Sequence, residues 1–201
     1  MTQLTLTKHQ ALGNDFLVAF DPPDVDLAAL ARGMCDRRRG IGADGLLVGT
    51  SADGFDARRD ARSRTYCYRL LSRRSPSPFE QGRALWWPHP LDRDALQACA
   101  ALLAGTHDFT AFTPTQTDHV RFERDILLAN WTFAGNVASF HITADAFMRN
   151  MVRVLVGTML EVASGRRTVA NFQQLLAGAP RSAAGETAPP HGLYLESVSY
   201  D

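Results

Sequence analysis

The stretch FDARRDARSRTYCYRLLSRR, residues 55–74, holds seven arginines against two carboxylates, Asp56 and Asp60, with Tyr66 and Tyr68 set among them. Guanidinium groups beside aromatic rings suit a ligand that has both phosphates and flat bases, since cations position the backbone and rings stack on the bases. From the residues alone, a phosphate contact and a solvated basic edge strand fit Arg58, Arg62 and Arg64 equally well. Tyr66 by itself reads first as a tyrosine packed in the core of a strand. The second residue able to do chemistry is Arg153, inside MVRVLV, with two apolar residues before it and three after. A guanidinium in such surroundings is costly unless it meets a carboxylate or reaches water, and snorkelling to the surface is the open alternative.

The remaining reactive types exclude more than they offer. Cys35, Cys67 and Cys99 are odd in number and form no Cys-x-x-Cys pair, which argues against a disulfide framework and a zinc site. Cys35, in MCDRR, reads as a small buried helix residue. GIGADG (40–45) lacks the Gly-Lys-Ser/Thr ending of a phosphate loop and precedes a strand instead of opening a helix. Net charge is zero, but it is unevenly spread. Residues 1–50 carry five basic and six acidic groups, and residues 75–201 carry nine and twelve, so the positive surplus lies in 55–74. No run of about eighteen apolar residues occurs, so no membrane span is expected. The first residues lack a basic region followed by an apolar stretch, so no export signal is expected either, and the cysteine usage points to a reducing, cytoplasmic setting.

These residues must be held by a mixed α/β chain. LTLTKH (4–9) and FLVAF (16–20) read as short strands joined at Gly13-Asn14, and DVDLAALARGMCDR (24–37) reads as a helix capped by Asp26. GLLVG (45–49) is a buried strand. Thr65 to Leu71 reads as a strand with Tyr66, Tyr68 and Leu70 on one face. LDRDALQACAALLAG (91–105) is a helix capped by Asp92 and ended by Gly105. Residues 121–147 read as two strands about a turn at Gly135-Asn136. A helix follows from about Phe147 to Val162, with Phe147, Met151, Leu155 and Val162 at helical spacings. A shorter helix begins near Thr168, residues 178–192 form an irregular loop, and LYLESVSY closes the chain as a strand.

KHQALGNDFLVAFD followed by CDRRRGIGADGLLVG resembles the opening of diaminopimelate epimerase, with its Gly-Asn-Asp-Phe turn and Arg-x-Gly-x-Gly-x-Asp-Gly segment. The resemblance implies a small ββαβ fragment over residues 1–50 in which Asn14 contacts an amino-acid substrate. That family moves the α-proton between two cysteines in Cys-Gly motifs, and this chain contains no Cys-Gly dipeptide. The epimerase contact at Asn14 is therefore expected to be vestigial.

FDARRDARSRTYCYRL, HDFTAF, ITADAFMRNMVRVLVGTMLEVASG and TAPPHGLYLESVSY, in that order, resemble the tRNA pseudouridine synthase that modifies the anticodon stem-loop. The resemblance covers residues 55–201, with a seam at 51–54. It implies an α+β fold, with a mostly antiparallel sheet and flanking helices, and a homodimer acting on tRNA without metal or organic cofactor. It assigns Tyr66 to the active site against the target base and Arg153 to pairing with the catalytic aspartate. Leu193, on its own an inward-facing strand residue, matches a position that packs against the active site. The family's aspartate nucleophile lies in an Arg-Thr-Asp-x-Gly-Val-His motif well before the Phe-x-Ala-Arg segment, and no Arg-Thr-Asp occurs in this chain. Asp44, in GADG, is the one tempting substitute, yet it lies close to Phe55 and fits the epimerase pattern better. Arg153 is thus expected to lack its usual partner. The expected function is an impaired family member. The alternatives are a tRNA-binding remnant without chemistry and a fusion product without function, which would carry an exposed sheet edge.

Overall fold

The computed structural model describes residues 6–11, 14–20, 25–36, 41–43, 45–49, 56, 59–116 and 120–200. The chain divides into two compact units, Met1–Asp60 and Ala61–Asp201, a division that falls beyond the seam expected at 51–54.

In the first unit, β1 (Thr7–Ala11) pairs antiparallel with β2 (Asn14–Phe20), which pairs parallel with β3 (Gly45–Gly49). The parallel pairing is possible because α1 (Leu27–Cys35) supplies the crossover. Asp26 caps α1, its carboxylate accepting from the backbone N–H groups of Ala28 and Ala29 at 2.9 and 3.0 Å. This is the ββαβ order expected from the sequence. Cys35 departs from expectation: α1 buries none of its residues, and Cys35 is half-buried. Leu47 and Val48 on β3 are exposed, so this strand is not the buried one its composition suggests.

The second unit is built on a six-stranded sheet. β4 (Ser63–Ser72) pairs antiparallel with β8 (Val137–Ala144), which pairs with β7 (Glu123–Ala134), which pairs with β6 (Gly105–Asp108). The other edge of β4 is shared: β9 (Leu193–Ser199) lies antiparallel along Ser63–Tyr68, and β5 (Leu85–Trp87) lies parallel along Leu70–Ser72. Strand β8 shows why one face goes inward. Ala138, Phe140, Ile142 and Ala144 are buried while the residues between them are half-exposed, the period of a strand covered on one side. Phe140 faces Tyr68 on β4 and Trp131 on β7, the last with ring centroids 5.1 Å apart. The helices α2 (Arg93–Ala101), α3 (Met151–Ala163) and α4 (Val169–Leu175) supply Leu96, Leu155, Met159 and Phe172 to the same core. The result is a mostly antiparallel sheet with flanking helices, as expected.

Two boundaries differ. Helix α2 stops at Ala101, because Gly105, at φ +93°, opens β6 instead of ending the helix. Helix α3 begins at Met151 instead of Phe147, because Asn150 takes the left-handed conformation, φ 62°, and breaks the helical path. Phe147 therefore lies in the connection before α3 and is free to pack sideways. Among the described residues no helix is long and apolar enough to cross a membrane.

Candidate functional site

Three segments of the second unit converge at one corner: β4, the connection into α3, and residues 188–193. Tyr66 and Tyr68 are on the same face of β4, two residues apart. Tyr68 is fully buried, and its hydroxyl donates to the Pro189 carbonyl at 2.7 Å. The next carbonyl back, that of Ala188, accepts from Arg153 Nε at 2.6 Å, and the Ala188 N–H donates to the Arg153 carbonyl at 3.1 Å. Arg153 Nη1 donates to Asn150 Oδ1 at 3.0 Å, so the same asparagine that delays the helix also holds the guanidinium. Leu193, half-buried, is the β9 partner of Tyr68. The structure thus brings Tyr66, Arg153 and Leu193 to one place, through Tyr68 and the 188–189 backbone.

The close approach of these segments depends on two glycines. A Cβ at Gly157 would overlap the Glu186 carbonyl oxygen, and one at Gly192 would come within 2.8 Å of the Arg69 carbonyl oxygen and 2.9 Å of the Tyr68 ring. Thr158 Oγ1 accepts from the Gly185 N–H at 3.0 Å and pins the same loop to α3.

The electrostatics favour a neutral aromatic wall beside a fixed cation. Burial pushes the Tyr66 phenol above its usual range, with the Arg64 charge opposing in part. Burial raises Tyr68 well above a normal tyrosine, against the pull of Arg153. Tyr66 is half-buried and meets Phe147 edge to face, centroids 5.0 Å apart. Its β9 partner, Leu195, is 55% exposed, so apolar surface continues outward from the ring. Arg153 has Nε and Nη1 occupied, and among the described residues no carboxylate lies within ion-pair distance of it. Its Nη2 is the donor left for an anionic group. A flat base could stack at Tyr66 while a carboxylate or phosphate met Arg153.

Arg153 is half-buried and already bonded to a carbonyl and an amide oxygen, so it is not a bare charge in an apolar helix. Of the arginines, Arg62 is exposed. Arg64 uses Nη1 on the carbonyls of Ala61 and Asp145 at 2.9 and 2.8 Å, which ties β4 to the segment after β8. Arg58 and Asp44 lie outside the described residues, as does the side chain of Asn14, whose backbone opens β2.

Sequence reasoning put Tyr68 on the strand face of Tyr66 without giving it a role, and it missed Asn150, Phe147 and the carbonyls of Ala188 and Pro189 as parts of the corner. The carbonyls could not be found, because their role is independent of side-chain type. Of the clefts of 720, 580 and 380 Å³, none is lined by Tyr66, Arg153 or Leu193, although the first shares His191, and the third Ala188 and Pro189, with the 188–193 segment.

The tRNA pseudouridine synthase family profile matches residues 99–201. The chain is similar to proteins named tRNA pseudouridine synthase A from Brucella ovis, Brucella canis and Brucella abortus. Each is 38% identical over 167 residues, covering 83% of this chain and 65% of the relative. The chain therefore spans just under two thirds of the length of these relatives. Only 147 residues run from Phe55 to Asp201, so a match of 167 takes in at least 20 residues before Phe55 and includes Asp44 wherever it is placed.

Proposed function

The chain belongs to the tRNA pseudouridine synthase family, and from that premise we propose that residues 61–201 carry the tRNA-facing part of a uridine-isomerising site whose nucleophile is missing. The observation that carries this reading is the corner itself: the aromatic ledge at Tyr66 and Phe147, and the guanidinium of Arg153 held by Ala188 and Asn150 with one nitrogen to spare.

Isomerising uridine within a strand requires the base to leave the stack and rest in a pocket while the base–sugar bond breaks and re-forms. Tyr66 would stack on the target uracil, with Leu193 packing beneath it. Arg153 would hold the aspartate that attacks. Arg62, with Arg58 and Arg64, would meet flanking phosphates, Arg64 mainly by fixing the strand. No Arg-Thr-Asp motif occurs in the chain, so binding of the anticodon arm is expected to outlast turnover. The family resemblance adds a cytoplasmic homodimer needing no cofactor. The epimerase reading of residues 1–50 rests on its two motifs, with Asn14 as a vestigial contact.

One observation favours a second reading. The likeness to the synthases crosses residues 51–54 and takes in Asp44, in GADG, so this aspartate is the candidate nucleophile should the chain be active. The test is pseudouridine formation in unmodified tRNA by the parent and by Asp44→Ala. The proposal expects tRNA binding and no product from either protein. Product from the parent that disappears in Asp44→Ala would replace it with the second reading.

A further inference from the structure

Asn150 combines two features that a simple turn does not require. Among the described residues it is the one non-glycine with positive φ, 62°. It also stands at the N-cap of α3, where an asparagine ordinarily caps from extended backbone by accepting a first-turn N–H. Here the side chain makes no capping bond. Its Oδ1 accepts instead from Arg153 Nη1 at 3.0 Å. Only the Asn150 carbonyl serves the helix, accepting from the Val154 N–H at 3.0 Å.

The turn around Asn150 is held by other contacts. Met148 is buried, its sulfur lies 3.0 Å from Thr113 Oγ1, and its carbonyl accepts from the Met151 N–H at 3.1 Å. Phe147 packs edge to face on Tyr66. Neighbours thus fix a left-handed backbone that a non-glycine adopts only at some cost, and such positions collect where a side chain must be aimed. The aim is at Arg153. A guanidinium is a rigid planar fork, and two acceptors set its plane: the Ala188 carbonyl on Nε and Asn150 Oδ1 on Nη1. With Ala188 alone it would be free to turn.

We propose that Asn150 is a positioning residue, which through its amide oxygen fixes the direction in which Arg153 presents Nη2 to the anionic group at the Tyr66 corner. No Arg-Thr-Asp motif occurs in the chain, so in a binding experiment that group is a phosphate of the RNA. The inference rests on the tRNA reading above and concerns the same corner.

The test compares Asn150→Gly and Asn150→Asp with the parent, each checked for folding by circular dichroism. Glycine keeps φ positive without strain, and no capping bond is lost, so the contact to Arg153 is what this variant removes. Two readings are taken. In protein labelled with nitrogen-15 arginine, the Nη1 and Nη2 signals of Arg153, assigned by their loss in Arg153→Lys, should be separate in the parent and should merge in Asn150→Gly as the guanidinium begins to rotate. Unmodified tRNA should bind Asn150→Gly about threefold more weakly, the scale of ordering one long side chain on binding. Asn150→Asp keeps the acceptor but spends the charge of Arg153 on an internal ion pair, so it should hold the signals apart and still weaken binding. A residue that served only the turn would leave both variants like the parent. Unchanged signals or unchanged tRNA affinity in a folded Asn150→Gly, or parent-like affinity in Asn150→Asp, overturns the proposal. Absence of tRNA binding by the parent would instead overturn the family-based reading, and the Nη signals of Asn150→Gly would still decide whether Asn150 holds Arg153.

Discussion

The two units of this chain use similar pieces to different effect. Both place helix against sheet, yet the described core of the first consists of Leu17, Ala19 and Ala43, while Val25, Leu27, Ile41, Leu47 and Val48 remain exposed. The second buries a continuous cluster in which Tyr68, Phe140, Ile142, Leu155 and Phe172 are inaccessible to solvent. A sheet face stabilises a fold only as far as something covers it. In the second unit α2, α3 and α4 do so, whereas α1 buries no residue of its own. The chemistry divides the same way. The Tyr66 corner is built from three segments of the second unit. The first unit contributes motif residues, Asn14 and Asp44, about whose side chains the fold says nothing.

The sharpest way to break this contrast is a matched pair of core truncations. Phe140→Ala should cost about 3–5 kcal/mol, the usual loss for a buried ring, and lower the main thermal transition by circular dichroism. Leu17→Ala should leave that transition in place. Equal shifts would mean that the units fold as one and that the contrast in packing has no energetic meaning.

A smaller effect is expected at Arg153. Arg153→Leu leaves the Ala188 carbonyl and Asn150 Oδ1 without their donor, so it should destabilise by about 1–3 kcal/mol in urea unfolding and weaken tRNA binding as well. A neutral or stabilising result would mean that these two hydrogen bonds contribute nothing net to the fold.

The smallest effect is in pH. Burial raises the thiol of Cys99 to about 12, and it also raises Cys67, Tyr66 and Tyr68 above their ordinary values. Each group is an acid that stays protonated longer when folded, so its contribution is complete below the unfolded pKa and lost as pH rises above it. The melting temperature, as far as these groups set it, should be flat up to about the normal thiol pKa of 9.0 and fall beyond it. A fall beginning near neutrality would point to other groups.

How much was legible depends on whether a feature is local. The hairpin at Gly135-Asn136 and the Asp26 and Asp92 caps follow from neighbouring residues, and they stand where the sequence puts them. Strands β5 and β6, three and four residues long, exist because β4 and β7 offer them a partner, and no short-range pattern announces that. The start of α3 was misplaced because the left-handed turn at Asn150 is held in part by a contact to Arg153. For the site, Tyr66, Arg153 and Leu193 were legible as motif residues. Their meeting point was not, since it runs through the backbone of Ala188 and Pro189, where any residue type offers the same carbonyl.

The measurement that tests the central claim most directly is a titration of unmodified tRNA into the intact chain and into residues 61–201 alone, at low and high salt. If the second unit carries recognition, the two proteins should bind within about twofold of each other. Both affinities should also fall steeply with salt, as phosphate contacts require. Loss of binding in a folded 61–201 piece would place recognition in the first unit and contradict the account.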